Sequence, residues 1–253
     1  MTELGRRDTS AGPEQFAVAE MLVRGFRGSP GLKAFQERWY AFLASVFTDE
    51  LNLPGARTLI ERGMRVVGES PRLLLRSGLV FEMSTYPHAT CPDCRPDDDQ
   101  AVSRNLTRAA EAYRRITALD PHSAEGHLRL GRMLQLLGDH GGARQELGEV
   151  ERITTSAELL YLVALFRSDL HQEEGDARAA AAEAERAVSI GPDYQSARIA
   201  LAHLSDQLGQ VDRSRQIVDR LLRLPPAGDP WWDFRQPSLD FDSLEWMRNH
   251  IRQ

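Results

Sequence analysis

The residues best suited to chemistry lie in one short stretch of the sequence. His88, Cys91 and Cys94 form the pattern His-x2-Cys-x2-Cys. Two thiolates and an imidazole can bind zinc in a tetrahedral site, and one of the aspartates at 97–99 could supply the fourth ligand. Structural zinc sites commonly take a second ligand pair from farther along the chain, and this chain has no further cysteine. The pattern therefore allows a zinc site without requiring one.

Three other interpretations remain open for Cys91 and Cys94. A Cys-x-x-Cys pair at the N-terminus of a helix can act as a redox dithiol, because the helix lowers the pKa of a thiol. Prolines surround this pair and no βαβ unit is indicated, which disfavours redox catalysis. The pair could instead form a simple disulfide. It could also have no chemical role, in which case the acidic run at 97–99 stabilises the positive end of the following helix.

No other group of residues predicts catalysis. The sequence contains neither the G-x-x-x-x-G-K-[ST] phosphate loop nor the G-x-S-x-G nucleophile elbow, and Lys33 is its only lysine. His171 begins the sequence His-Gln-Glu-Glu, which differs from the zinc-protease pattern H-E-x-x-H. We therefore predict that the protein is not an enzyme, with no catalytic residues and no cofactor apart from the possible zinc.

Composition disfavours several classes of function. The formal net charge is −6, and the arginines are interspersed with acids, so no basic surface for nucleic acid is indicated. No apolar run approaches the roughly 18 residues of a membrane span. The polar start from Met1 to Pro13 does not resemble a signal peptide. We expect a cytoplasmic protein, and the near absence of lysine suggests a GC-rich bacterial genome.

A pattern of small and large residues repeats along the chain, and the structure that it predicts must position the candidate functional residues. The copies are separated by one or two intervals of about 34 residues, a period that predicts stacked helical hairpins. The first set of residues is Gly131, Leu137 and Gly138, matched two intervals later by Ala202, Leu208 and Gly209. The second set is Ala143, Leu147 and Val150, matched by Ala180, Ala184 and Ala187 and then by Ser214, Val218 and Leu221.

The same period extends toward the N-terminus. Positions of matching size lie one period apart at Tyr40, Leu43, Ala44 and Phe47 and at Leu74, Ser77, Gly78 and Phe81. Ala109 likewise precedes Ala143 by one period. Residues three, four and seven apart share one face of a helix, so the small residues mark where two helices cross and the large ones fill the space around them.

On these residues the sequence resembles the tetratricopeptide repeat family, whose unit is a helix-turn-helix of about 34 residues with small residues at the crossing. The resemblance covers roughly residues 37–226. It implies an all-α fold, a right-handed α-solenoid of about five hairpins with capping helices at both ends. We place the hairpins at 37–70, 71–123, 124–157, 158–194 and 195–228.

We divide the chain into three parts on this basis. Residues 1–36 form an N-terminal tail and capping helix, residues 37–228 form the solenoid with a loop insertion at about 84–103, and residues 229–253 form a tryptophan-containing linker and a C-terminal capping helix. We expect that last helix to pack on the last hairpin, because a solenoid leaves an apolar face bare at each end. The fourth hairpin has an irregular register, with Leu165 where a small residue is expected and three extra residues before Gly175.

The resemblance also implies a binding surface. In this family the first helices of the hairpins line a concave side, which holds partner proteins or peptides. The positions that map to this side are Leu128, Arg132, Gln135, Leu136, Leu162, Phe166, Asp169, Ile199, His203, Asp206 and Gln207. Trp231 and Trp232 are a second candidate, as an exposed anchor for a partner, because tryptophan is enriched among binding hot spots.

The sequence therefore predicts a non-catalytic scaffold or adaptor that binds a partner protein or peptide in its concave groove. It predicts no binding of nucleic acid and no insertion into a membrane. The alternative is a zinc- or redox-responsive adaptor that acts through the loop with His88, Cys91 and Cys94.

Metal analysis separates these two functions. If the zinc-responsive alternative holds, protein purified without chelators carries stoichiometric zinc. The double variant Cys91→Ser and Cys94→Ser then loses the metal and melts at a lower temperature, because metal binding contributes directly to folding. Substoichiometric zinc together with an unchanged melting temperature in the double variant excludes a zinc site.

Overall fold

The structure consists of helices joined mostly by short turns. The computed structural model describes residues 31–86, 99–223, 228–235 and 239–251, and within these ranges it contains twelve helices and no strand. The all-α class predicted from the repeat is thereby confirmed. The helices are α1 (Leu32–Asp49), α2 (Leu53–Val67), α3 (Pro71–Met83), α4 (Asp99–Leu119), α5 (Ala124–Leu136), α6 (His140–Ile153), α7 (Ala157–Glu173), α8 (Ala177–Ile190), α9 (Gln195–Gln207), α10 (Val211–Leu221), α11 (Pro230–Arg235) and α12 (Phe241–Ile251).

Consecutive helices pair into five hairpins, namely α1–α2, α3–α4, α5–α6, α7–α8 and α9–α10. Each hairpin also contacts the next one along the chain, which is the contact pattern of a solenoid. The solenoid prediction is therefore confirmed. Residues 1–30, which include most of the predicted N-terminal capping element, lie outside the described residues.

The turns inside the last three hairpins share one local design. Gly138, Gly175 and Gly209 have φ values of +83°, +82° and +74°, which glycine adopts without steric cost. Asp139 and Asp176 follow the first two glycines, and each caps the next helix by accepting a hydrogen bond from the backbone N–H three residues on. The spacing of these turns is the period that the sequence repeats.

Small residues allow the two helices of each hairpin to cross closely. Those at the predicted crossings are buried: Ala44, Gly78, Gly131 and Ala202 on first helices, and Ala109, Ala143 and Ala180 on second helices. At the second hairpin, the ring of Tyr113 on α4 lies directly on Gly78 of α3, so that a Cβ on Gly78 would overlap it. Large residues thus fill the space that the small ones leave.

In the fourth hairpin, the irregular spacing of the repeat is accommodated within the first helix, α7. The small residue where α7 meets α8 is Ser168, whose hydroxyl donates a hydrogen bond of 2.9 Å to the carbonyl oxygen of Ala180. Leu165, which the regular period placed at the crossing, instead lines the inner surface beside Trp231. Helix α7 has 17 residues whereas α5 has 13, so about one extra helical turn absorbs the longer spacing.

The C-terminal part of the chain returns along the stack of hairpins. Helix α11 packs against α7, and α12 packs against α1 of the first hairpin. Our expectation that the C-terminal helix covers the last hairpin is therefore wrong. The physical reason lies in the polar groups that receive the start of α12 on the first two hairpins.

Asp240 is the residue that attaches α12 there. Its carboxylate lies 3.4 Å from Arg72 and 3.3 Å from Arg76 of α3, and its backbone N–H donates to the Ser45 hydroxyl of α1 at 3.0 Å. The same carboxylate caps α12 by accepting a hydrogen bond from the backbone N–H of Ser243. Burial raises the pKa of the Asp240 carboxyl, but Arg76 and the hydrogen bonds from Ser243 outweigh burial, so its pKa lies below the ordinary value of an aspartate.

We predict that Gly78→Ala destabilises the protein by about 1–3 kcal/mol, because the new methyl group displaces the Tyr113 ring from a close-packed crossing. The matched control is Gly148→Ala in α6, where the nearest atom to an added Cβ is 3.9 Å away. That control should be neutral or stabilising by up to about 1 kcal/mol, since alanine favours helix more than glycine does. Urea unfolding followed by circular dichroism measures both changes, and equal stability of the two variants would contradict the close crossing.

We also predict that Asp240→Asn costs about 1–3 kcal/mol at neutral pH, because asparagine keeps the helix cap but loses the charge that pairs with two arginines. The folded pKa of Asp240 lies below its unfolded value, so its contribution is fully present above about pH 4 and is lost as the pH falls through the folded pKa. The stability difference between wild type and Asp240→Asn should therefore be constant from pH 5 to 7 and shrink between pH 4 and 2. A difference that does not change with pH would argue against the ion pair.

Candidate binding groove

The first helices of the hairpins form the inner side of the solenoid. Helix α1 contacts α3, and α5 contacts α7, across neighbouring hairpins. Because successive helices approach one another most closely on the inner side of a curved stack, this side is concave. We call the surface of α1, α3, α5, α7 and α9 on this side the concave groove.

The chain's own C-terminal segment, residues 228–235 and 239–251, lies against this groove. Its first anchor is Asp229, whose side chain is buried between α7 and α9. One carboxylate oxygen accepts hydrogen bonds from the backbone N–H groups of Gln195 and Ser196 at 3.0 and 2.7 Å, and the Tyr161 hydroxyl lies 3.3 Å away. The carboxylate thus sits at the positive end of α9.

Asp229 replaces a cap that α9 lacks in its own sequence. Tyr194 precedes the helix and provides no side-chain hydrogen bond to it. An uncapped helix leaves its first N–H groups unsatisfied, and Asp229 satisfies two of them. Burial and the nearby carboxylate raise the pKa of the Tyr161 hydroxyl, so it remains protonated and can donate to Asp229 at physiological pH.

An aromatic cluster follows this anchor. Phe234 is 4 % exposed and packs edge-on against Phe166 of α7, with ring centroids 5.1 Å apart. Trp231 packs edge-on against the same phenylalanine at 5.7 Å and lies nearly parallel to Phe234 at 6.3 Å. Edge-on ring pairs at these separations are favourable beyond the apolar area that they bury.

A buried arginine on α5 forms the floor beneath the aromatic cluster. The Arg129 guanidinium carbon lies 4.3 Å from the centre of the Phe234 ring, and its terminal nitrogens lie 3.4 Å from the Phe234 carbonyl oxygen. Glu82 of α3 accepts a hydrogen bond from Arg129 at 3.1 Å and another from Tyr113 at 2.8 Å. Burial lowers the pKa of Arg129, but Glu82, Tyr113 and Glu125 together outweigh burial and raise this pKa, so the group stays charged.

A second arginine one turn farther along α5 completes the floor. Arg132 lies 4.8 Å from the centre of the Phe166 ring and 5.5 Å from that of Trp231. It also donates hydrogen bonds to Asp169 at 2.8 Å and to Gln135 at 2.9 Å. Arg129 and Arg132 therefore offer cation–π contacts to aromatic rings while their charges are balanced within the solenoid.

The groove remains open toward its C-terminal end. A cavity of about 380 Å³ lies between α7, α9 and α11. Ile199 and Trp232 line it and are 53 % and 54 % exposed. The rest of its lining is Leu165, Asp169, Gln172, Ser196, Ala200, His203 and Trp231.

The predicted groove residues fall into a covered group and an open group. The covered residues lie beneath the C-terminal segment or against neighbouring helices, and they are Leu128, Arg132, Gln135, Leu162 and Phe166. The more exposed residues are Leu136, Asp169, Ile199, His203, Asp206 and Gln207. Of the predicted tryptophan anchor, Trp232 is exposed, whereas Trp231 is partly buried against Phe166 and so does not form an exposed anchor.

Sequence reasoning missed the residues that hold the C-terminal segment, namely Arg129, Tyr161, Asp229, Phe234 and Asp240. Asp240 carried a local signal, because an aspartate immediately before the first residue of an apolar helix is typical of an N-cap. Arg129 carried none, since a charged residue on a periodic helix is ordinarily solvated. Only the folded chain shows that Glu82 and Phe234 meet it.

His88, Cys91 and Cys94 lie outside the described residues, so the zinc site stays a prediction. Within the described part of the chain, no group of three or more His, Cys, Asp or Glu side chains is arranged to hold a metal ion. Among the described helices, none is both long enough and apolar enough to cross a membrane.

Comparison with known proteins locates repeats in two regions of the chain. Tetratricopeptide repeat models match residues 98–157 and residues 171–236. No curated protein sequence matches the chain. The matched regions include the second helix of the second hairpin, the whole third hairpin, and the stretch from the end of α7 through α11.

Solved structures show the same fold at low sequence identity. PilF of Pseudomonas aeruginosa superimposes with a TM-score of 0.62 at 16 % identity, over 78 % of this chain and 79 % of that one. MamA gives a TM-score of 0.53 at 17 % identity, over 74 % of this chain and 90 % of that one. A human IFIT1 dimer with PPP-AAAA gives 0.53 at 13 % identity, over 84 % of this chain and 52 % of that one.

At these identities the structural likeness concerns the fold alone. The repeat period, the stacked hairpins with small residues at their crossings, and the two matching repeat models agree with one another. The chain is a tetratricopeptide repeat protein.

Proposed function

We propose that this protein is a non-catalytic interaction scaffold that binds a partner protein at the open end of its concave groove. The observation that carries the proposal is the cavity between α7, α9 and α11, with Ile199 and Trp232 both more than half exposed along it. Large apolar side chains exposed together along a concave surface favour a binding site over a purely structural role.

The chemistry of this open end favours a protein ligand over a nucleic acid. Asp169 and Asp206 lie on the groove helices, and Asp233 of α11 is exposed nearby. Two arginines lie beside the cavity: Arg132 is already paired with Asp169, and Arg235 lies over the rings of Tyr86 and Trp231. A nucleic-acid site would need unpaired basic groups to neutralise phosphates. A partner protein that presents an apolar side chain beside a basic one matches this end of the groove better.

The partner's contribution is therefore an apolar side chain that enters the cavity. Ile199 and Ala200 line one wall from α9, Leu165 lines the facing wall from α7, and Trp232 covers the rim from α11. A side chain that fills this space loses its own contact with water and removes the exposed faces of Ile199 and Trp232 from solvent, which is the general source of hot-spot energy.

A photocrosslinking amino acid at position 199 tests this site in the native host. We expect a discrete covalent adduct with a partner protein from position 199. The matched control places the same amino acid at position 222, because Leu222 is an apolar residue 79 % exposed at the end of α10, away from the cavity lining. Adducts of equal yield from both positions, or none from position 199, would show that the open end does not bind a partner.

A pair of substitutions gives the corresponding loss of binding. Ile199→Asp should weaken partner capture about tenfold or more, since it places an unpaired charge in an apolar contact. Leu222→Asp should leave capture unchanged, and both variants should stay within about 0.5 kcal/mol of wild-type stability because both sites are exposed. Capture of the same partner by tagged wild type and tagged variants, compared by quantitative blotting, measures the effect.

A further inference from the structure

The C-terminal segment occupies the groove in the way that a bound peptide would. At α11, its contacts with the solenoid include a carboxylate at a helix N-terminus, two aromatic rings on Phe166 and a backbone carbonyl on Arg129. A separate protein chain could supply each of these groups equally well. Phe234 follows Arg129 by 105 residues in the sequence, so this contact is tertiary and not local.

The solenoid supplies the receiving groups in a prepared state. Arg129 is held by Glu82 and Glu125, and Arg132 is held by Asp169 and Gln135, through contacts that do not involve the C-terminal segment. Charged groups fixed in this way lose little freedom when a ligand arrives. The receptor side of the contact is thus built without the segment that fills it.

The segment, by contrast, depends on the solenoid for its structure. Helix α11 has only 6 residues, and an isolated helix of that length is not stable in water. The exposed residues of α11, Trp232 and Asp233, contribute little to holding it. Apart from the Arg235 contact with the Tyr86 ring, α11 is attached through Asp229, Trp231 and Phe234. These three residues define what the groove recognises: an acidic residue, then proline, then two aromatic residues three positions apart.

We propose that the occupied part of the concave groove is a receptor for partner protein segments with this acidic–proline–aromatic–x–x–aromatic chemistry, and that such a segment displaces the chain's own residues 229–235. This goes beyond docking at the open cavity, because it concerns the surface that α11 covers. The tethered segment acts as a competitor present at high effective concentration, so that a partner binds only when it matches or exceeds this chemistry. The partner's apparent affinity is its intrinsic affinity multiplied by the fraction of molecules in which the groove is free.

A synthetic peptide of residues 228–243 with a fluorescent label tests the proposal on the full-length chain. Phe234→Ala weakens the chain's own segment while leaving every receptor residue in place. We expect the peptide to bind Phe234→Ala about tenfold or more tightly than wild type, measured by fluorescence anisotropy, because the internal competitor is weakened. The double variant Trp231→Ala and Phe234→Ala should bind the peptide at least as tightly as the single variant.

Matched peptides and a receptor variant establish the chemistry. A peptide with Asp229→Asn and Phe234→Ala should bind the opened chain about tenfold or more weakly. Tyr161→Phe in the opened chain should weaken the wild-type peptide but not the Asp229→Asn peptide, because the hydroxyl acts on the carboxylate. Circular dichroism melting of each variant shows that the solenoid stays folded.

Three results would overturn the proposal. One is the absence of peptide binding by folded Phe234→Ala, and another is equal affinity of wild type and variant for the peptide. The third is a wild-type dimer, detected by light scattering, that dissociates when the peptide is added. The groove would then receive the segment of a second copy. None of these results affects crosslinking at position 199, which tests the open end of the groove separately.

Discussion

The close crossing of the two helices within each hairpin is the constraint on which the rest of the molecule depends. Alanine, glycine or serine at the crossing lets the helix axes approach, and residues such as Tyr113 and Leu147 fill the space around them. One hairpin cannot bury its apolar surface alone, so every hairpin requires a neighbour. A stack of such units curves, and the curvature creates the groove.

An uncovered groove would make the solenoid less stable. Arg129 and Glu82 are buried at its floor, and buried charges are tolerated only when each has a partner. Glu82 has Arg129, Tyr113 and Tyr86 as partners, while Arg129 also donates to the backbone of Phe234. The C-terminal segment therefore completes a polar network that begins in the second hairpin, and it brings aromatic rings to cover the apolar side chains of α7.

Two acidic side chains determine where the C-terminal segment runs. Asp229 satisfies the N–H groups at the start of α9, and Asp240 neutralises Arg72 and Arg76 on α3. The segment is thereby held at the fourth and fifth hairpins by one end and at the first two hairpins by the other. Long-range links of this kind couple distant repeats in an architecture whose units otherwise touch only their neighbours.

Most of the fold followed from sequence periodicity because the repeat reports local structure. Turn glycines, capping aspartates and the spacing of small residues each act within one hairpin, and a single sequence records them directly. The fourth hairpin shows the limit of this reasoning. The sequence contains the three extra residues, but only packing against α8 selected Ser168 over Leu165 as the crossing residue. Helix faces shift by about 100° per residue, so a small offset in register exchanges buried and exposed positions.

The sequence by itself determined the all-α solenoid, the number of hairpins and the helices that line the groove. Only the tertiary structure decided that the C-terminal segment covers the middle of that groove and that α12 returns to α1. The physical reason is the range of the interactions. Periodicity records contacts between residues a few helical turns apart, whereas Arg129 meets Phe234 and Ser45 meets Asp240 across 105 and 195 residues, where no spacing rule applies.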